Sequence, residues 1–464
     1  MFKDKYNDAN KDIIVSEALK KETIDKMKTT NGKKQSFKSS TRVSIAALAL
    51  ALIIASFFLN KQNLEALAIA LPDLPSKTIF EDYEKEYETI DEKFIENLNQ
   101  FSIKSSSIVL SNLDKKSNSI YSPISLYMAL AMVGETSQGE TQAQIVEALN
   151  MDNIEMIRSE TGKLFRSLYF HNKIGKLSLN NSLWLNDNID FNKATLDRLA
   201  ADYYAQSFSL DFKDKSASQK ISNWVGENTG ENLGNKADDF RLDKDTVMKL
   251  INTVNFYDEW IDSFDENHTV KDKFTLEDGQ QIQTDFMNMT YGSHGFVGAK
   301  GYTSSALQMK NNNSMIFILP DEGVSPEDIL SDPGILEDAI SSLYSEKSQM
   351  GEVVFKIPKF NFQSTLDLKD LANQLGIETA FMDTGDFSPL SDTRPLFISD
   401  IKQSSTISID EKGIQASSFT SIDYAGSAQP DGRAEMILDR PFIFLITGLD
   451  KSPLFIGVIN NPTI

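Results

Sequence analysis

Apolar positions along this chain follow helical spacing in its first half and strand spacing in its second. Phe94, Leu98 and Phe101 recur at helical intervals. Residues 122–135 predict a helix with Ser122 at the N-cap and Pro123 at the first helical position, where a missing amide hydrogen costs nothing. Helical runs dominate 92–175. Short apolar or alternating runs then predict strands at 177–185, 248–256, 314–319, 352–357, 396–409 and 442–446, and 453–459 closes the chain. The pattern breaks once in an unusual way. Residues 407–420 begin as an alternating strand, pass Gly413 and become a run mostly of small residues. A Gly/Pro/Asp-rich loop then leads to Arg440, Pro441 and Phe442. A loop of that length in a compact domain is functional or disordered. One built from strand-compatible residues is a candidate switch. No repeat is visible, and one α+β domain over residues 92–464 accounts for the pattern.

The first 91 residues read differently. Residues 1–42 hold 11 Lys/Arg against 6 Asp/Glu, whereas the whole chain of 464 residues carries a net charge of −21. Between the basic segment and the acidic remainder lies an uncharged apolar run at 43–59. As a helix it spans roughly 26 Å, enough for the hydrocarbon core with slight thinning. Lys33, Lys34, Lys38 and Arg42 precede it, so residues 1–42 are expected inside the cell and everything after Leu59 outside. The domain map is therefore a cytoplasmic segment 1–42, a single-pass membrane anchor 43–59, an extracellular spacer 60–91 with Pro72 and Pro75, and the globular domain. The alternatives are a cleaved signal peptide, to which Ala66, Ala68 and Ala70 would be suited, giving a secreted protein, and a buried core helix.

Composition narrows the chemistry. There is no cysteine, which removes disulfides, thiol catalysis and thiolate metal sites, and fits an exported bacterial protein. His171, His268 and His294 are the three histidines, none in a metal-ligand spacing. Neither a G-x-S-x-G elbow nor a phosphate-binding glycine loop occurs. The acidic balance disfavours nucleic acid. The expectation is a protein that is not an enzyme, with no cofactor and no metal. A modest basic stretch of Arg158, Lys163, Arg166, His171, Lys173 and Lys176 is read as ordinary surface balance rather than a polyanion site.

Several separated motifs then fall in one order. Asn118-Ser-Ile-Tyr-Ser-Pro-Ile-Ser125, Asn181-Ser-Leu-Trp184 with Tyr204, and Asn223-Trp-Val225 with Thr229 come first. Ile251-Asn-Thr-Val-Asn-Phe256, Trp260-Ile-Asp-Ser-Phe264, Pro358-Lys-Phe360, Leu375-Gly-Ile377 and Asp386-Phe-Ser388 follow. Arg440-Pro-Phe442, then Phe455-Ile-Gly457 and Pro462, close the series. In that order they resemble the serpin family from about residue 92 to the end. The resemblance implies three β-sheets, about nine helices, an exposed reactive-centre loop and a metastable native state. A serine protease cuts the loop, which then inserts into the main sheet as a further antiparallel strand and carries the acyl-enzyme with it.

The same resemblance assigns residues. Glu411, Gly413, Ile414, Ala416 and Thr420 form the hinge, preceded by Asp410. Ile414 stands where inhibitory members have a small Thr or Ser, and Phe419 replaces a usual Ala. On insertion Ile414, Ala416, Ser418, Thr420 and Ile422 would turn under the sheet. Ser122, Ser125, Asn252 and Gln403 form the sheet-opening cluster, with Trp260 near the insertion point. Gln403 replaces a histidine and is expected to hydrogen-bond to Asn252. Fourteen residues beyond Gly413 lies Ser427, so the reactive bond is expected at Ser427–Ala428, with Tyr424 and Arg433 as other registers. Small residues there suit elastase- or subtilisin-like proteases, with a chymotrypsin-like enzyme as alternative. The implied molecule is a monomeric, membrane-anchored bacterial inhibitor. The bulk of Ile414 and Phe419 leaves open a non-inhibitory binding module, and residues 1–42 leave open a signalling role.

Overall fold

The structure is a computed structural model that describes residues 68–75, 89–112, 115–214, 216–229, 240, 242, 247–393, 395–399, 401–414, 432–448 and 451–464. The expected cytoplasmic segment 1–42 and anchor 43–59 lie outside the described residues. So do Ala416, Thr420, Ser427 and Ala428 of the loop. Among the described residues no helix is long and apolar enough to cross a membrane.

In chain order the strands are β1 (Ala68–Ala70), β2 (Ser119–Tyr121), β3 (Phe170–His171), β4 (Gly175–Asn186), β5 (Ala205–Leu210) and β6 (Met248–Glu259). Then come β7 (Val270–Thr275), β8 (Gln281–Ala299), β9 (Tyr302–Gln308), β10 (Ser314–Pro320), β11 (Gln349–Pro358) and β12 (Phe360–Asp367). The chain ends with β13 (Ile401–Ile409), β14 (Gly413–Ile414), β15 (Gly432–Ile437), β16 (Phe442–Thr447) and β17 (Pro453–Ile459). Nine α-helices occur among the described residues: α1 (Glu92–Ser111), α2 (Pro123–Thr136), α3 (Gly139–Ala148), α4 (Ile154–Leu168), α5 (Lys193–Asp202), α6 (Ala217–Thr229), α7 (Pro326–Leu330), α8 (Pro333–Ser341) and α9 (Lys369–Gln374).

Among the described residues the strands form two hydrogen-bonded sheets. The first has the order β1-β5-β4-β6-β13-β12, with β3 on β4 and β14 on β6. The second has the order β15-β11-β8-β9-β10-β16-β17-β2, with β7 on β8. The expectation of three sheets meets a continuous strand: β8 runs for 19 residues and pairs in turn with β7, β11 and β9, joining two limbs into one ladder.

Local sequence explains the centre of the molecule. Ser122 caps α2 by accepting from the Ser125 amide, Pro123 starts it, and all 14 residues of the helix are buried. A helix apolar on every side has no solvent face, so it is enclosed. Strands β16 and β17, apolar without alternation, are buried throughout and lie beside β10 and β2. Asp91 caps helix α1, its side chain accepting from the Phe94 amide at 3.0 Å. A second apolar cluster of Trp184, Phe208, Trp224 and Ile251 packs α6 onto the first sheet.

One element departs from the spacer expected at 60–91. Ala68–Ala70 pairs antiparallel with β5 and forms the edge of the first sheet. The chain is joined to the domain well before Glu92.

Candidate functional site

The site is assembled where β13 ends and turns back toward β6. Asp410, Glu411, Lys412 and Gly413 make a tight turn, with the Asp410 amide donating to the Gly413 carbonyl at 2.9 Å. The Asp410 carboxylate accepts from the Lys412 amide at 2.9 Å, which rigidifies it. Gly413 has φ of +147°, and a Cβ there would meet the Asp258 carbonyl at 2.4 Å. Only glycine fits. Beyond the turn, Gly413 and Ile414 pair antiparallel with Glu259 and Asp258 of β6.

Trp260 holds this turn from the sheet side. Its amide donates to the Lys412 carbonyl at 3.0 Å and its indole Nε1 to the Asp410 carbonyl at 3.1 Å. The Phe264 amide donates to the Glu411 carbonyl at 2.7 Å. Glu411 itself is buried, and its carboxylate receives Lys359 Nζ at 2.9 Å and Thr269 Oγ1 at 2.7 Å. Burial pushes the Glu411 carboxyl up, but Lys359 and Thr269 more than offset this and hold it below the ordinary glutamate range. The turn is thus fastened by an ion pair, two backbone bonds and an indole.

Beside this turn the ladder between β6 and β13 is incomplete among the described residues. Strands β6 and β13 pair in parallel only from Leu250/Ile401 to Val254/Ser405. Above that point, Asn255, Phe256 and Tyr257 of β6 and Thr406 to Ile409 of β13 have no partner across the gap among the described residues. Strand β14 enters from the far end of this gap in the antiparallel sense. An arriving strand would find backbone donors and acceptors on both sides.

Below the gap the β6–β13 contact is locked from beneath. Gln403 Oε1 accepts from the Ser122 amide at 2.7 Å while its Nε2 donates to the Ser122 carbonyl at 2.8 Å. Ser122 Oγ donates to the Leu454 carbonyl at 2.7 Å. Asn252 is the register partner of Gln403, yet its Nδ2 donates to Asn181 Oδ1 at 2.6 Å rather than to Gln403. The expected Gln403–Asn252 side-chain bond is therefore corrected. A primary amide carries both a donor and an acceptor, and the helix cap offers it a carbonyl and an amide together. Ser122, Ser125, Asn252, Trp260 and Gln403 are all buried. Ser125 contributes its amide to the Ser122 cap.

Sequence reading missed Asp258. It is fully buried where β6 pairs with β14, and its carboxylate accepts from Asn311 and Asn313 Nδ2, each at 2.8 Å, and from the Glu259 amide at 2.9 Å. Burial outweighs these donors and pushes its pKa up to about 6. A raised folded-state value means that protonation favours the native state. That stability is fully present below about pH 4, amounts to about 3 kcal/mol, and is lost as pH rises through 6. Melting curves between pH 4 and 7 should show the wild type gaining on an Asp258→Asn variant as pH falls. A constant difference would mean that Asp258 does not titrate in this window.

Three of the six residues of the basic stretch are engaged internally. Arg158 pairs with buried Glu135 at 2.9 Å, Lys163 with Glu160 at 2.7 Å, and Arg166 donates to Tyr204 Oη at 3.3 Å. This agrees with its reading as ordinary charge balance.

Comparison with known proteins places the domain. The family model described as Serpin (serine protease inhibitor) matches residues 96–462. An alpha-1-antitrypsin-like protein of Tamias sibiricus is 30% identical over 363 residues, covering 76% of this chain and 86% of its own. Among solved structures, the thermophilic serpin tengpin in its native state superposes with a TM-score of 0.71 at 30% identity, covering 81% of this chain and 96% of that one. Human thyroxine-binding globulin with its ligand gives 0.71 at 25% identity, covering 80% and 99%. The chain belongs to the serpin family. Its members have the fold seen here and are protease inhibitors as a class, not catalysts.

Proposed function

We propose that the domain is a suicide-substrate inhibitor of serine-type endopeptidases, cut at Ser427–Ala428. The protease serine attacks the Ser427 carbonyl, the Ala428 amine leaves, and an ester joins the two proteins. Residues 414–427 then enter between β6 and β13, ahead of ester hydrolysis. What supports this reading is the pairing of β14, which lies antiparallel against β6 beside segments of β6 and β13 that have no partner across from them among the described residues. The protein acts as a monomer at a bacterial surface, with residues 43–59 as a single-pass anchor and the domain outside; a secreted form is the alternative.

Incubation with elastase, subtilisin and chymotrypsin tests it. A band stable in denaturant should form with the elastase- or subtilisin-like enzyme, and the released peptide should begin at Ala428. Quantitative cleavage by all three without any covalent band would overturn the inhibitory reading. It would favour the second reading, a non-inhibitory binding module, which the bulk of Ile414 and Phe419 supports.

A further inference from the structure

Asp258 lies second from the end of β6, with a strand on each edge. Gly175 of β4 is its register partner on one side and Ile414 of β14 on the other. The turn between β9 and β10 supplies Asn311 and Asn313, and the Asn311 amide adds a contact to the carboxylate at 3.3 Å. Asn172, from the turn between β3 and β4, steadies Asn311 by donating to its Oδ1 at 2.8 Å. Every donor to Asp258 is therefore a neutral amide. Among the described residues no cation touches this carboxylate.

The charges around it are committed elsewhere. Glu259 pairs with Lys310 at 2.6 Å and accepts from Tyr257 Oη at 3.4 Å. On the turn, Glu411 pairs with Lys359, and the Asp410 carboxylate accepts from the Lys412 and Gly413 amides. Lys176 is the register partner of Tyr257, one place along β4, so it stands on the opposite face of the sheet. His171 and Lys173 are exposed, and Lys412 is half-exposed.

What β14 brings to Asp258 is therefore loss of water. Gly413 lies so close to the Asp258 carbonyl that no side chain fits between them. Among the described residues, β14 is the one strand that covers this edge of β6 at the level of Asp258. A carboxylate that loses water without gaining a cation becomes harder to ionise, and the Asp410 carboxylate arriving with the turn acts in the same direction. Docking of β14 and binding of a proton at Asp258 then favour one another, because linkage is reciprocal.

We infer that Asp258 is a positioning residue that couples docking of β14 to proton uptake, so that protease is trapped more efficiently in acidic than in neutral medium. The inference rests on the inhibitory reading above. Its pH window follows from burial, which pushes the Asp258 carboxyl up to about 6. Above that value the ionised carboxylate favours a turn withdrawn into water. Below it the neutral acid leaves β14 docked, and the loop starts its insertion already in register.

Two measurements on the wild type and Asp258→Asn, whose amide does not ionise, test this. Hydrogen exchange needs no protease. The Trp260 amide donates to the Lys412 carbonyl and is released only when the turn undocks. Corrected for intrinsic rates, its protection should rise several-fold from about pH 7.5 to about pH 5 in the wild type and stay level in the variant. A level wild-type profile would overturn the coupling, and this profile decides alone should the variant not fold. The second measurement is the ratio of covalent complex to cleaved product with one protease. The variant carries the protease's own pH dependence, so wild type divided by variant isolates the turn. That quotient should lie several-fold below one at about pH 7.5 and approach one at about pH 5. A quotient that does not move with pH would overturn the link to trapping. No covalent complex with either protein at any pH would remove the inhibitory reading and the trapping half of the inference, while the exchange profile still decides the coupling.

Discussion

Cutting the loop once after Ser427 should raise the melting temperature by on the order of 10–30 °C. The expectation comes from counting backbone groups. Among the described residues, Asn255 to Tyr257 on β6 and Thr406 to Ile409 on β13 have no ladder partner across from them, and the β6–β13 pairing below them covers five residue pairs. Freed at one end, the loop can become a strand bonded on both sides, which adds roughly ten hydrogen bonds at about 0.5–1.5 kcal/mol each. In a domain of this size each kcal/mol moves the transition by about 2 °C. Calorimetry or dichroism of intact and nicked protein gives the answer. An unchanged transition would remove the mechanism and leave the binding-module reading.

The second large effect is expected from Ala416→Glu. On the register read from the sequence, Ala416 turns under the sheet when the loop inserts. An uncompensated charge buried there costs about 3–5 kcal/mol, and each 1.4 kcal/mol is a factor of ten in rate. Covalent complex with the target protease should fall on the order of 100-fold while cleavage at the loop continues, because the bait bond itself is untouched. Gels that separate complex from cleaved product measure both at once. Undiminished complex formation would mean that Ala416 never enters the sheet. The reverse change is expected from Ile414→Thr, which relieves overpacking of about 1–3 kcal/mol and should shift the product ratio toward complex.

Much of the architecture is legible in the chain because burial is written as uninterrupted apolar runs. The closing strand, read at 453–459, is found as Pro453–Ile459, and the helix read from Ser122 and Pro123 is found as Pro123–Thr136. The half-exposed strands β7 to β9 were not apparent, since their polar faces weaken the apolar signal. Residues 396–399, the start of the run read as strand at 396–409, precede β13 without joining it. The turn at Asp410–Gly413 is marked by its glycine, but its fastening is not legible in the chain. Lys359 and Thr269 reach Glu411 from 52 and 142 residues away, and nothing local marks either as a partner. Gln403 bonds the Ser122 backbone and not the Asn252 side chain expected from sequence, because the choice between them depends on side-chain direction. Ala68–Ala70 looked like spacer or leader since three residues carry no period; the edge of β5 makes them a strand.

The central claim is that β6 and β13 hold a place for the loop, and hydrogen exchange reads it most directly. Backbone amides of residues 255–257 and 406–409 should exchange readily in the intact protein and become strongly protected after the loop is cut, with the amides of the inserted segment protected alongside them. If those amides are already protected in the intact chain, or remain equally open after cleavage, the sheet holds no such place and the account is contradicted.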